Sequence, residues 1–380
     1  MRSACSAAAF VLLALAAATV AAAARPRWHQ LQSYTFAQYS KDFGKQYPLG
    51  SDEYAIREKL FAAQLAKVQA FNADTTQTYK KGINHMTDWT RAEFQRLNGR
   101  VPDAWMPETK AERFYAAAEY AGLTLPVSVD YRTAFPPILG AIKDQGICGS
   151  CWAHSATESM ESHYALATGQ LYALSQQQVT SCTSNAKDCG GTGGCLGATY
   201  ELAFDYVVKN GGIAQEWTYP YKSYFGDSGN CSANIILTPS VAFFSGYTSV
   251  ARNDDNATAH ALAHKGPLAI VVDASAWGDY ESGIYSGCDY AKNISIDHGV
   301  QLVGYGFDDD LQQAYWLVRN SWSAGWGEAG YIRLLRTPEC GTNVDWDTNG
   351  AGCPGDNNTI TTCGMCGMLY DPVFPNPVVL

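Results

Sequence analysis

Cysteine is the feature that most constrains this chain: it has twelve. What they can do depends on compartment, and the N-terminus bears on that. Arg2 gives a weakly basic start, an apolar run extends from Ala7 to Val20, and four alanines precede Arg25-Pro26. This pattern predicts a secretory signal peptide over 1–24 rather than a membrane anchor. Cys5 leaves with that segment, so eleven cysteines meet an oxidising compartment. An odd number cannot all pair, and the leftover thiol asks for a chemical reason. The expected destination is the secretory route, ending in a lysosome or vacuole or outside the cell. Asn230, Asn256, Asn293 and Asn357 open possible glycosylation sequons, weak support for the same compartment.

With 380 residues, 47% hydrophobic and only 16% charged, the chain can bury substantial cores and is long enough for two or three domains. Its charge is divided. Residues 25–123 carry 14 Lys+Arg against 11 Asp+Glu, and residues 124–380 carry 11 against 25. The acidic C-terminal part excludes nucleic acid as the natural partner. A net +3 beside a net −14 suggests two segments that dock, with acid weakening the attraction as carboxylates lose charge.

Residues 51–73 place Ile56, Leu60, Phe61, Leu65, Val68 and Phe71 at helical spacing. Residues 99–113 read as a linker. A second helix is predicted from Cys151 to Thr168, stopping at Gly169. Later segments, including 268–272, 300–303, 315–318 and 331–335, are short, β-branched and aromatic, and read as strands. Helices followed by strands predict an α+β protein with two unlike lobes and a cleft between them.

Three stretches carry chemistry. The first is Gln145-Gly146-Ile147-Cys148-Gly149-Ser150-Cys151-Trp152, which puts Cys151 at a helix start, where partial positive charge favours a thiolate. Alone, its Cys-x2-Cys is equally a redox pair or half a metal site. The second is Asp297-His298-Gly299, 147 positions after Cys151, and the third is Asn320-Ser321-Trp322. A nucleophilic thiol needs a base, and the base needs an orienting partner.

In this order the stretches resemble the papain family of cysteine proteases, and within it the cathepsin L group. The resemblance implies a papain-like two-lobe fold and a cysteine endopeptidase. Cys151 would be nucleophile, His298 base, Asn320 its orienting partner, and Gln145 a donor to the oxyanion. Trp322 would shield the His–Asn contact. Gly197, Ala198, Thr199, Ile296, Asp297 and Asp371 would line substrate subsites, with Asp371 at the floor of the main pocket and Thr199 and Ile296 in its walls. A carboxylate there implies acceptance of Arg beside apolar residues.

An inhibitory prosegment is implied too. Glu53, Arg57, Phe61, Gln64, Val68 and Asn72, then Gly82, Asn84, Met86 and Asp88, resemble its two motifs. The expected division is therefore signal peptide 1–24, propeptide 25–123 and mature domain 124–380, with cleavage a few residues before Pro126. The chain's partners would be peptide substrates and its own propeptide, acting as a monomer with no cofactor, metal or membrane anchor.

His154 stands where the family usually has Phe, and predicts a neutral imidazole filling the aromatic slot. Ala198 replaces a glycine, and its methyl is expected to crowd the cleft wall. The resemblance implies disulfides Cys148–Cys195, Cys182–Cys231 and Cys288–Cys366. Cys189, Cys340, Cys353 and Cys363 are left with three possible pairings. Residues 337–362 form an insertion relative to the family. No His-bearing loop follows Cys195, which favours endopeptidase action. The competing reading is a metal-binding or redox module built on Cys148-x2-Cys151 and Cys363-x2-Cys366.

Overall fold

The computed structural model describes residues 25–98, 113–115, 117–232, 238–344 and 359–379. The signal-peptide stretch, Cys353 and the sequon at Asn357 lie outside them. No helix among the described residues is long and apolar enough to cross a membrane.

The N-terminal part is a small helical unit: α1 (Phe36–Asp42), α2 (Asp52–Ala73), strand β1 (Tyr79–Lys81) and α3 (Arg91–Gln95). Ser51 caps α2 by accepting from the Tyr54 amide, and Asp52 and Glu53 sit in its first turn, where the helix dipole favours them. Phe61 and Val68 are the residues of α2 that this unit buries, with Leu31, Phe36, Tyr39 and Ile83. Ile56, at the same spacing, is half exposed, because the stripe faces a core too small to cover it.

The motif residues of α2 each have a contact. Arg57 bonds Glu53 and grips both oxygens of Glu93 at 2.7 Å. Asn72 exchanges two hydrogen bonds with the Lys81 backbone. Asp88 accepts from Tyr39, Lys45 and Tyr47.

The rest is a helical lobe and a sheet lobe. The helical lobe is built on α5 (Cys151–Thr168), α6 (Gln176–Cys182) and α7 (Tyr200–Asn210). Its core includes Trp152, Met160, Val179, Phe204 and Val207. Gly169, at φ 75°, ends α5 in a left-handed cap.

The sheet lobe comprises β3 (Val129–Asp130), β4 (Ile213–Ala214), β5 (Ser240–Val250), helix α8 (Asp255–Lys265), β6 (Leu268–Val272), β7 (Tyr280–Tyr285), β8 (His298–Asp308), β9 (Gln313–Arg319), β10 (Tyr331–Leu335), the hairpin β11 (Cys340–Asn343) and β12 (Ile360–Cys363), and β13 (Val373–Val378). The main order is β1-β7-β10-β9-β8-β6-β13-β5-β2, where β2 is Arg113–Tyr115, followed by α4 (Ala117–Tyr120). N-terminal strands thus close both edges: β1 pairs antiparallel with β7, and β2 parallel with β5. An open sheet edge is a template for foreign pairing, so both are covered in this form.

The long apolar run of β6 is buried at every position, between β8 and β13. The helices α6, α7 and α8 were not foreseen as helices. They are short, and their Ser175, Thr199 and Asp254 caps are the local signals that mark them.

Candidate active site

The cleft between the lobes collects residues from the start of α5, the start of β8 and the end of β9. Cys151 is the first residue of α5, is buried, and is not in a disulfide. β8 begins at His298. Gly299 packs directly on the start of α5: a Cβ there would lie in van der Waals contact, 3.4 Å from the Trp152 Cα and 3.5 Å from the Cys151 carbonyl oxygen. The base and the thiol are therefore brought together by packing of strand start on helix start.

Asn320 follows β9. Its Oδ1 accepts from His298 Nε2 at 2.8 Å and from the Ser321 amide at 2.8 Å. An amide oxygen only accepts, so this contact fixes the proton on Nε2 and leaves Nδ1 as the basic nitrogen. The Trp322 ring lies 4.7 Å from the imidazole. Burial pushes His298 down to about 4, with the Asn320 bond and the Leu97 carbonyl opposing. In this form the imidazole is neutral.

Gln145 is fully buried and held from three sides. Its amide N donates to Ser321 O, its Oε1 accepts from Ser321 Oγ at 2.8 Å, and its Nε2 donates to Cys148 O at 2.8 Å. The remaining Nε2 hydrogen goes to the backbone carbonyl of Leu97 at 2.8 Å. The N-terminal unit therefore threads a peptide carbonyl against the Gln145 amide. It also lays Phe94 edge-on against Trp322, with ring centroids 5.3 Å apart, and Asn98 donates to Asp297 Oδ2 at 2.8 Å. Burial and neighbouring Asp273 push Asp297 well above the usual carboxylate range.

Behind the thiol, His154 is buried and bonds the Ser150 carbonyl through Nδ1 at 2.9 Å, and burial pushes it down to about 3. It is a neutral ring packed edge-on to Tyr221. Tyr221 was missed in the sequence. Its hydroxyl meets Ser150 Oγ at 2.7 Å and donates to Gln145 O at 3.0 Å, tying the turn before Cys151 to the oxyanion donor.

The expected subsite residues divide. Gly197, at φ 95°, needs glycine's conformational freedom. Ile296 is buried beside Val271, Ile294 and Tyr370. Ala198 does not crowd the cleft: it packs into the helical-lobe core with Trp152 and Tyr200. Thr199 spends its hydroxyl capping α7, on the Leu202 amide. The next residue, Tyr200, instead reaches Asp371, through hydrogen bonds to its carbonyl and to Oδ2 at 3.3 Å. Asp371 is 7% exposed, and Arg252 comes within 3.9 Å of its other oxygen. A carboxylate already engaged by a guanidinium is a weaker lure for a second one than the sequence suggested.

The bridges Cys148–Cys195, Cys182–Cys231, Cys288–Cys366 and Cys340–Cys363 are formed, and Cys189 is also oxidised. Cys148, Cys363 and Cys366 are thus consumed, which removes the thiols that the metal or redox reading required. Among the described residues no group of three His, Cys, Asp or Glu side chains is arranged for a metal.

Comparison with known proteins agrees with this geometry. Residues 125–348 match the papain family cysteine protease profile, and residues 36–94 match the cathepsin propeptide inhibitor domain. Fruit bromelain of Ananas comosus is 30% identical over 96% of this chain and 92% of its own length. A cathepsin L-like protein of Caenorhabditis elegans is 34% identical over 86% of this chain and 94% of its own. The solved procathepsin L 3 of the Tenebrio molitor larval midgut superposes with a TM-score of 0.69 at 29% identity, covering 90% of this chain and 97% of that one. The chain belongs to the papain family of cysteine proteases and carries that family's propeptide inhibitor domain.

Proposed function

We propose that the enzyme is an endopeptidase in which Cys151 attacks the scissile carbonyl, with His298 as its base, Asn320 orienting the imidazole and Gln145 as oxyanion donor. The observation that carries this reading is the Leu97 carbonyl on Gln145 Nε2: a peptide carbonyl already sits where a substrate's would. In the mature enzyme the thiol proton passes to His298 Nδ1, and the thiolate adds to the carbonyl carbon. The developing oxyanion takes hydrogen bonds from Gln145 Nε2 and the Cys151 amide. The imidazolium then protonates the leaving amine. A water activated by the same imidazole hydrolyses the thioester and frees Cys151.

The zymogen is latent for a chemical as well as a steric reason. Docking keeps His298 dry and neutral, so the ion pair that makes a thiol nucleophilic is disfavoured until the propeptide leaves. Acid triggers that departure. Maturation falls a few residues before Pro126, leaving 124–380 as a monomeric enzyme of a lysosome, vacuole or secretion, processed through a signal peptide over 1–24 and glycosylated on its exposed sequons.

The test is active-site titration of acid-treated protein with an epoxide directed at thiols. One equivalent should label Cys151 and abolish cleavage of peptides blocked at both ends. Cys151→Ala should cleave nothing while keeping the fold and the bound propeptide. Cleavage retained in Cys151→Ala overturns the assignment.

A further inference from the structure

The segment that delivers His298 to the cleft runs from Cys288, bridged to Cys366, through Asn293–Asp297. It meets the main sheet where the Asp297 amide donates to Val272 O at 3.0 Å and, just beyond the end of β6, where the Ser295 amide donates to Asp273 Oδ2 at 3.1 Å. Its outer side is held by the hairpin β11–β12, which belongs to the insertion. Ile294 N donates to Thr342 O at 2.9 Å, and Val344 N donates to Asn293 Oδ1 at 2.8 Å. Side chains are clamped as tightly. A Cβ on Gly341 would stand 2.7 Å from Ile294 Cγ1. From the other side, a Cβ on Gly367 would stand 2.7 Å from Ile296 Cγ2 and 3.1 Å from Thr362 Cβ. Ile360 of β12 packs on the cluster of Val271, Ile294, Ile296 and Tyr370, separate from both lobe cores.

The hairpin has little of its own to hold it. Two four-residue strands are not stable alone. Cys340–Cys363 closes them, and Asn253 pins β12 through Thr361 O and the Cys363 amide, both at 2.9 Å.

We infer that this disulfide-closed hairpin is a positioning element for the His298 segment: by clamping Ile294 and Ile296 it sets the width of the pocket for the residue two before the cut. The inference rests on the proposed place of Ile296 in that pocket wall. Selectivity of the enzyme therefore depends on an intact Cys340–Cys363 bridge, whereas turnover does not. The His298–Asn320 bond and the His298 pairing with Val272 involve no residue of the hairpin.

The experiment measures kcat and KM for peptides with Phe or Val two before the cut. It uses activated wild type, Cys340→Ser/Cys363→Ser, Gly341→Ala and Ile296→Ala. Gly341→Ala keeps the bridge and pushes only on Ile294, so it stands in if the double variant does not fold. The Phe/Val ratio of kcat/KM should shift about tenfold without the bridge, a change of the size one or two methylenes give in an apolar pocket. It should shift in the same sense in Ile296→Ala and measurably in Gly341→Ala, and in the two hairpin variants kcat for the preferred peptide should stay within about threefold of wild type. A ratio moved by Ile296→Ala but unmoved in both hairpin variants overturns the brace alone. A ratio unmoved in all three overturns the pocket assignment with it. An equal loss for both peptides marks the hairpin as merely structural and overturns the inference.

Discussion

Gln145 shows how much one side chain is asked to do. Its oxygen is fixed by Ser321, one amide hydrogen by Cys148, and the other is aimed at a peptide carbonyl. Gln145→Ala should leave KM within a few-fold and lower kcat by about 10²–10³, the cost of one oxyanion donor; steady-state kinetics on the activated enzyme checks this, and an unchanged kcat removes Gln145 from the chemistry. Asp371 is the second such residue. Because Arg252 already lies 3.9 Å from its carboxylate, a substrate guanidinium must compete for it. Arg252→Ala should therefore raise kcat/KM for Arg relative to Phe two before the cut, and Asp371→Ala should lower it. Shifts of the same sign in the two variants, or no shift in either, would place Asp371 outside the pocket. Cys151, His298, Asn320 and Gln145 could be singled out as candidates because each stands in a short stretch of fixed order. Tyr200 and Tyr221 could not, because a tyrosine's role rests on which distant atom its hydroxyl meets.

At the scale of elements, α5 carries both chemistry and an unusual burial. Glu158 and Arg319 are essentially unexposed, 3.5 Å apart, about two turns beyond Cys151 and immediately before Asn320 respectively. Arg319 also donates to the Gly140 and Ala141 carbonyls. Burial pushes Glu158 up to about 7, against the pull of Arg319 and Lys143. Glu158→Ala leaves the guanidinium buried without its counter-charge and should cost about 3–5 kcal/mol. Glu158→Gln removes the same charge while keeping the side chain's shape, so it should cost nearly as much. Urea unfolding of the Cys151→Ala proenzyme measures both, and a Glu158→Gln cost near zero would mean that the charge plays no part. The bounds of α2 and α5 were legible because caps and periodicity are local: Ser51 and Gly169 mark them. Strands β8 and β9 run longer than their apolar runs, since pairing with each other, rather than composition, ends them.

In the whole molecule, a basic N-terminal unit sits on an acidic enzyme, and among the described residues Lys81–Asp279 and Arg27–Glu281 are the ion pairs between them. The pH response has the opposite sign at these sites from the one charge counting suggested. Burial raises both Asp279 and Glu281 in the docked form. A carboxyl whose pKa rises on docking takes up a proton there, so acid favours docking at these two positions. The acid release proposed above then has to come from within the propeptide. Glu93 is held down to about 2, first by Arg57 and then by Thr90. Its contribution to the fold of the propeptide is complete above its ordinary value near 4.5 and is lost as pH falls toward 2. Glu93→Gln should therefore shift the pH midpoint of autoactivation upward, read as the rate of propeptide loss between pH 6 and pH 3 relative to wild type (pH range ~3–6). An unchanged midpoint would remove Glu93 from the trigger.

The sequence by itself determined the α+β class and the propeptide ahead of the enzyme, and it put forward Cys151, His298 and Asn320, in that order, as candidate thiol, base and orienting amide. These are carried by neighbours in the chain, through helix caps, motif spacing and charge runs. Only the tertiary structure decided the rest. It turned Thr199 into a cap and brought Tyr200 to Asp371, 171 positions away. It sent the Ala198 methyl into a core, set Arg252 beside Asp371, and seated an inserted hairpin against the segment before His298. Each of these is a contact between residues far apart in sequence. Which of two adjacent side chains faces such a contact is fixed by the packing of whole elements, and local pattern carries no record of it.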